Sequence, residues 1–189
     1  MENGLIVSSS EKGTSFIKEM LNAASIQDIA DLASCGEARR MLIERAFDLV
    51  VVNAPLRDES GEDFSRHVAT NSLSQVILIV NHEFFEAASA ACEVDGILTV
   101  SKPVNRALFW SALKLANAAQ GRLKRMQDEN SRLKQQIEDI RIIDRAKCLL
   151  ISYLSMSEQE AHRYIEKQAM DMRSTRRGVA EGILKTYDT

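Results

Sequence analysis

The chain of 189 residues has no long hydrophobic run, few prolines and glycines, and few aromatic side chains. Its apolar stretches fall well short of the roughly 18 residues of a membrane helix, and no signal peptide is evident, so we expect a cytoplasmic protein without membrane contact. Two prolines and eight glycines argue against disordered or collagen-like tracts. Aromatic residues make up only 5% of the chain, which argues against a stacking platform for single-stranded nucleic acid.

Cysteine and histidine are also sparse, with three residues of each. Cys35, Cys92 and Cys148 lie far apart within apolar or helical patterns, so we expect them to be buried small hydrophobic side chains. The three histidines lack ligand spacing, and no nucleophile elbow, glycine-rich phosphate loop or paired-carboxylate motif is present. The sequence therefore predicts no metal site, no cofactor and no enzymatic activity.

Charge is distributed unevenly along the chain. Residues 1–104 carry 8 Lys and Arg against 16 Asp and Glu, whereas residues 105–189 carry 16 against 11. The net charge of −3 thus hides an acidic front part and a basic back part, which indicates different partners for the two ends.

The first hundred residues alternate between short apolar runs and helix-like stretches. The strand-like runs are 5–7, 49–52, 76–80 and 97–100, with a weaker one at 26–30. The helix-like stretches are 14–22, 36–46, 61–70, 84–94 and the residues from 105 onward. This alternation predicts a buried parallel sheet with helices on both faces, in a doubly wound, flavodoxin-like α/β domain over residues 1–115.

A long helix is predicted to follow, with a coiled coil over residues 116–140. Apolar residues recur three and four apart from Ala116 for more than three heptads. The predicted dimer contacts are Leu123, Met126, Glu129, Asn130, Leu133, Lys134, Ile137 and Ile140. Asn130 falls on an a position, where a polar residue fixes register, and Glu129 and Lys134 are spaced to pair across a parallel dimer. The alternative is that this stripe packs on the chain's own core.

Two shorter helices complete the chain, which we divide at residue 141. Ser157 and Glu160 have the spacing of a capping box, which predicts a helix beginning at Ser157 with an apolar stripe ending at Met172. A last helix over about 175–186 places Val179, Ala180, Ile183 and Leu184 in the core. Together with the end of the coil, these helices predict a small three-helix cap over residues 141–189.

Residues 143–184 resemble an ANTAR domain, the RNA-binding module of bacterial transcription antiterminators. The matching positions, in order and without gaps, are Ala146, Lys147, Leu150, Leu154, Ser157, Glu158, Ala161, Ala169, Met170, Arg173, Val179, Ala180 and Ile183. The resemblance implies a dimer that binds paired hairpins of leader RNA, prevents a terminator from forming and so lets transcription continue.

The front part is similar in layout to a two-component receiver domain, with Pro55 after the third strand and Lys102 after the fifth. In receivers, acidic residues hold Mg²⁺ and an Asp accepts a phosphoryl group. Here Ser8 and Ser9 stand in the acidic positions and Asn53 in the acceptor position, while Lys102 is kept. An amide neither accepts a phosphoryl group nor binds Mg²⁺ well. We therefore predict a degenerate site in a pseudo-receiver, controlled by a partner protein or ligand, with the region 84–101 as its docking face.

Basic residues of the back part are the candidates for RNA contact. For phosphate we favour Lys147, Arg163, Lys167, Arg176 and Arg177, and for loop bases Tyr164 and Arg173. Because Asp144, Glu160 and Glu166 lie within a turn, several of these cations could instead form solvated ion pairs, and Tyr164 could be core. Two other functions stay open: a DNA-binding response-regulator-like protein, and a coiled-coil signalling scaffold.

Overall fold

The computed structural model describes residues 1–187. The chain forms two compact units, one of residues 1–126 and one from residue 127 onward. Helix α5, Arg106–Leu154, contributes residues to both. Within the described residues, no helix is both long enough and apolar enough to cross a membrane.

A parallel sheet of five strands, in the order β2-β1-β3-β4-β5, forms the centre of the first unit. Its strands are β1 (Asn3–Ser8), β2 (Asp28–Leu32), β3 (Leu49–Asn53), β4 (Gln75–Asn81) and β5 (Leu98–Lys102). Its first four helices are α1 (Glu11–Ala23), α2 (Cys35–Glu44), α3 (Glu62–Asn71) and α4 (Phe85–Cys92). This strand order is the flavodoxin-like one, so the predicted fold class is confirmed.

The central strand β3 shows why its sequence is a continuous apolar run. All five of its residues are buried. Val50 and Val52 belong to the core on one face of the sheet, and Leu49 and Val51 to the core on the other. Because helices cover both faces, neither side of the strand needs polar residues.

The edge strand β2 lies two residues later than predicted. Ile26 is buried in the core but precedes the strand, which begins at Asp28. Asp28 and Asp31 are exposed. An edge strand has one flank open to solvent, and its polar residues obscured the apolar pattern.

The start of α5 packs on the sheet of the first unit. Phe109, Leu113 and Ala116 are buried in its core, and Gln120 Nε2 donates a hydrogen bond to Asp48 Oδ1 at 3.4 Å. The heptad pattern was predicted to start at Ala116, but that residue is a core residue of the first unit. The first exposed position of the stripe is Ala119.

The second unit contains the end of α5, α6 (Glu158–Asp171) and α7 (Arg176–Tyr187). The predicted capping box is present: the Glu160 backbone N–H donates to Ser157 Oγ, and the Ser157 backbone N–H donates to Glu160 Oε2 at 2.8 Å. The small core consists of Ala146, Leu150, Ala161, Ile165, Ala169, Val179, Ala180 and Ile183. Two predictions of burial are wrong, because Met172 is 67% exposed and Cys148 is exposed.

Candidate functional site

The predicted degenerate site lies at the carboxyl edge of the sheet, where β1 and β3 end side by side. Ser8 and Asn53 are register partners and both are buried. Asn53 Nδ2 donates a hydrogen bond to Ser8 Oγ at 2.9 Å. The Ser10 backbone N–H donates to the same hydroxyl at 3.3 Å, and Ser8 Oγ lies 3.2 Å from the Ser10 carbonyl. The two side chains thus form a neutral pair, joined by one hydrogen bond from Asn53 to Ser8.

The first turn of α1 closes over this pair. Ser10 caps the helix by accepting a hydrogen bond from the Gly13 backbone N–H. A Cβ atom on Gly13 would lie only 2.3 Å from Asn53 Nδ2. Any larger residue at position 13 would therefore displace the Asn53 amide, and the sequence pattern carried no signal for this glycine.

Lys102 and Ser9 contact the loop after β3 rather than the Asn53 side chain. Lys102 Nζ donates a hydrogen bond to the Ala54 carbonyl, and burial lowers the pKa of the Lys102 ammonium. Ser9 Oγ donates to the Pro55 carbonyl at 3.4 Å. These residues hold the loop by hydrogen bonds to its backbone.

An acid in that loop, Asp58, has a structural role. Its carboxylate accepts hydrogen bonds from the backbone N–H groups of Cys35 and Gly36, at 3.2 and 2.9 Å, at the N-terminus of α2. These and other backbone hydrogen bonds, with Gly36 the strongest, hold the pKa of Asp58 below its usual range. Asp58 is therefore engaged in capping α2.

Cys35, Asp58 and Glu59 form the one cluster of potential metal-ligand types within residues 1–187. Burial and a hydrogen bond with Glu59 raise the pKa of the Cys35 thiol, so it stays protonated and is a poor metal ligand. Glu59 is paired with Arg39, which lowers the pKa of its carboxyl. The cluster is thus satisfied by protein partners.

The predicted dimerisation residues lie on the solvent side of α5. Leu123 is 38% exposed, and Met126, Leu133, Ile137 and Ile140 are 48–61% exposed. Asn130, Glu129 and Lys134 are exposed on the same helix. Within residues 1–187 these apolar side chains thus keep 38–61% of their surface open to solvent, which argues against the alternative of packing on the chain's own core.

Three of the predicted RNA contacts form ion pairs within the second unit. Lys147 lies 2.8 Å from Asp144 and 3.0 Å from Glu158, and these hydrogen bonds raise its pKa. Arg176 lies 3.3 Å from Glu166.

Arg177 joins α7 to α5 through Asp139 at 2.8 Å and also pairs with Glu181 at 2.7 Å. Hydrogen bonds to these two carboxylates raise the pKa of Arg177. No local pattern predicts Asp139 as the partner of Arg177, because the two residues lie 38 positions apart.

The other four predicted RNA contacts are exposed on α6 or just after it. Arg163 and Lys167 are four apart on one face of α6, and both are exposed. Tyr164 is 38% exposed, while its neighbour Ile165 is buried in the core. Arg173 is exposed in the connection to α7, where its backbone has a φ of 49°. Tyr164 thus lies beside Arg163, and Ile165 supplies the core contact of this turn.

Comparison with known proteins relates both parts of the chain to bacterial regulators. Residues 131–184 match the family model of the ANTAR domain. This match begins 12 residues before the ANTAR-like pattern recognised in the sequence at residues 143–184. The transcriptional regulatory protein PdtaR of Mycobacterium tuberculosis is 23% identical over 173 residues, covering 92% of this chain and 84% of that protein.

Solved receiver structures match the N-terminal part of the chain. The signal receiver domain of an HD domain-containing protein from Pseudomonas fluorescens Pf-5 has a TM-score of 0.58 at 20% identity, covering 66% of this chain and 92% of the other. A response regulator receiver domain protein from Clostridium thermocellum has a TM-score of 0.57 at 21% identity, covering 67% and 99%. The chain therefore carries an ANTAR domain at residues 131–184, preceded by a domain with the receiver fold.

Proposed function

We propose that this protein is a regulator of transcription that binds paired hairpins of leader RNA as a dimer and thereby prevents termination. The observation that carries the proposal is the ANTAR domain with an exposed basic helix face at Arg163 and Lys167. PdtaR, similar over most of both chains, is named a transcriptional regulatory protein. The receiver-like domain acts as a pseudo-receiver, controlled by binding of a partner protein or ligand.

The exposed face of α6 has the chemistry to bind an RNA hairpin. Arg163 and Lys167 supply positive charge one turn apart, suited to successive phosphates. Tyr164, adjacent and partly exposed, presents a ring on which an unpaired loop base can stack. Arg173 follows at the end of the helix, where its guanidinium can reach base edges of the loop. A hairpin loop offers base edges that an A-form duplex hides, so this small surface suits a loop better than a duplex.

Lys147, Arg176 and Arg177 contribute to RNA binding to different degrees. Exposed ion pairs are worth about 0–1 kcal/mol, so phosphate can compete for Arg176, whose side chain is 56% exposed. Lys147 is only 16% exposed and bound to two carboxylates. Arg177 holds α7 against α5 through Asp139. We therefore assign Arg176 to phosphate, and Lys147 and Arg177 mainly to positioning the helices.

Dimerisation through α5 provides the second RNA-binding surface that paired hairpins require. Fully burying a Leu, Ile or Met contributes about 1.5–3 kcal/mol. The five large apolar residues of the stripe are already about half buried. Pairing them therefore contributes roughly 10 kcal/mol over two copies, against an association cost of about 4–15 kcal/mol. Asn130 subtracts from this gain while it favours a parallel dimer.

The Ser8–Asn53 pair supports the assignment of a pseudo-receiver. Mg²⁺ requires hard anionic oxygen ligands, and the two side chains at this edge are neutral and hydrogen-bonded to each other. The amide of Asn53 is not a nucleophile for a phosphoryl group. In this proposal the domain keeps the receiver fold as a docking module.

Electrophoretic mobility shift with a leader RNA of two hairpins tests the proposed function. The double variant Arg163→Ala, Lys167→Ala should weaken binding and lower the slope of log affinity against log salt by about 3 to 4, because two phosphate contacts are lost in each of the two copies. The matched control, Lys12→Ala with Arg40→Ala, removes the same charge from exposed positions of the first unit.

Two results would contradict the proposal. One is failure of the wild-type protein to retard any of several candidate leader RNAs at low salt. The other is preference for duplex DNA in direct competition with hairpin RNA, which would favour a DNA-binding regulator. If charge reversal at Arg176 and Arg177 left activity intact, a scaffold role would gain support.

A further inference from the structure

An apolar groove lies at the amino edge of the sheet, opposite the Ser8–Asn53 pair. We call it the basal groove. Its walls are α5 from Leu115 to Met126, the segment 72–76 at the start of β4, and the turn 94–96 before β5. Its volume is about 920 Å³. All of its lining residues belong to the first unit.

Large hydrophobic side chains along the basal groove are open to solvent. Val94 is 88% exposed, Leu115 is 61% exposed and Leu73 is 43% exposed. Scattered apolar residues on a surface are normal, but several around one groove mark an interaction site. This exposed apolar surface therefore indicates that another molecule covers the basal groove.

The basal groove is continuous with the predicted coiled-coil seam. Leu123 and Met126 line the groove and also occupy a and d positions of the heptads. Leu115 and Arg122 fall on g positions, directly beside the seam. A helix that pairs with α5 along the seam must therefore run past the mouth of the groove.

We propose that the basal groove is covered by α5 of a second copy of this chain, so that the dimer interface extends from the coil onto the receiver-like domain. The inference rests on the dimer of the proposed function and identifies a second part of its interface. In a two-fold dimer the same patch is used on both copies, so each α5 covers the groove of the other.

A second copy is favoured as the occupant because a stable dimer needs more buried apolar surface than the seam supplies. The seam alone lies close to thermodynamic balance, since it offers five large apolar residues per copy and carries Asn130 at its centre. Leu73, Val94 and Leu115 add three apolar side chains per copy in direct continuation of that seam. Their burial makes the association favourable without any change in the coil.

Sedimentation equilibrium of the full-length protein tests the inference with a matched pair of variants. Val94→Asp places a carboxylate in the groove, whereas Ile43→Asp makes the same type of change on α2, away from it. The pair is well matched, because Val94 and Ile43 are 88% and 86% exposed. We expect Val94→Asp to raise the dimer dissociation constant at least tenfold and Ile43→Asp to change it less than twofold.

A second variant, Leu73→Asp, should weaken the dimer in the same direction, with circular dichroism confirming that both groove variants stay folded. Wild-type dimerisation by both groove variants would overturn the inference, because it would show that a second copy does not cover the groove. If those variants stayed dimeric while Ile137→Asp became monomeric, the coil dimer of the proposed function would stand alone. A monomeric wild-type protein at working concentrations would overturn both.

Discussion

Replacing Ile137 by Asp gives a direct test of the dimer that the proposed function requires. Ile137 occupies an a position of the seam and is 52% exposed in the single chain. The substitution removes the gain from burying the rest of this side chain, about 1 kcal/mol per copy. It also places two carboxylates opposite each other in a dry seam, where an unpaired charge costs several kcal/mol. The total of at least about 4 kcal/mol corresponds to a loss of dimer affinity of roughly 1,000-fold.

Sedimentation equilibrium over a concentration series measures this loss. The control is Ser131→Asp, which introduces the same charge at an exposed b position of the same helix. We expect Ile137→Asp to sediment as a monomer while Ser131→Asp keeps the wild-type dimer. The monomeric variant should retain its affinity for a single hairpin and lose the extra affinity for the two-hairpin RNA, because that gain arises from linking two sites. An unchanged dimer of Ile137→Asp would refute the assignment of the stripe as the interface.

Two further predictions concern charge within each unit. Hydrogen bonds from Arg177 first, and then from Gln135, lower the pKa of Asp139 in the folded protein. The ionised carboxylate therefore stabilises the folded state at pH values above the unfolded carboxyl pKa of about 3.9. This stabilisation is lost as the pH falls through the lower pKa of the folded state. Thermal unfolding of Asp139→Asn should show a lower Tm at pH 7 and a weaker decline of Tm below pH 4 than the wild type. For the receiver-like domain, acetyl phosphate with Mg²⁺ should add no mass to the wild-type protein in mass spectrometry, because Asn53 offers an amide; a phosphate located on any Asp would contradict this.

The sheet and the long helix could be predicted because their signals are local. An apolar run such as that of β3 is dictated by helices on both faces of the strand, and the run itself predicts burial. The capping box at Ser157 and Glu160 is equally local, since both residues lie within one turn. Where a strand has an open flank, as β2 does, the apolar pattern is weaker. The observed strand therefore begins two residues later than the predicted one.

Side-chain pairings between elements could not be predicted in the same way. Arg177 pairs with Asp139 across 38 positions, and Lys147 with Glu158 across 11. The sequence shows only which carboxylates lie within a turn of a cation. Burial of a single helical residue is equally sensitive to geometry, because each residue turns by about 100° relative to the last. Cys148 lies two residues from both Ala146 and Leu150, so it falls on the opposite face of α5 and is exposed. Met172 is the C-cap residue that follows α6, and it is also exposed.

The geometry around Asn53 bears on how such a domain can be controlled. A cluster of carboxylates at this edge would repel one another without a cation, and the arrangement of the domain would then depend on Mg²⁺ and phosphate. Asn53 and Ser8 carry no charge, and Asn53 Nδ2 donates a hydrogen bond to Ser8 Oγ at 2.9 Å, while Lys102 donates to the Ala54 carbonyl. This edge is therefore stable without a ligand. It follows that, in the proposed function, a signal reaches the ANTAR domain through surfaces that bind other molecules. An extended dimer interface beside α5 would be one such surface, and α5 is the helix that leads into the ANTAR domain.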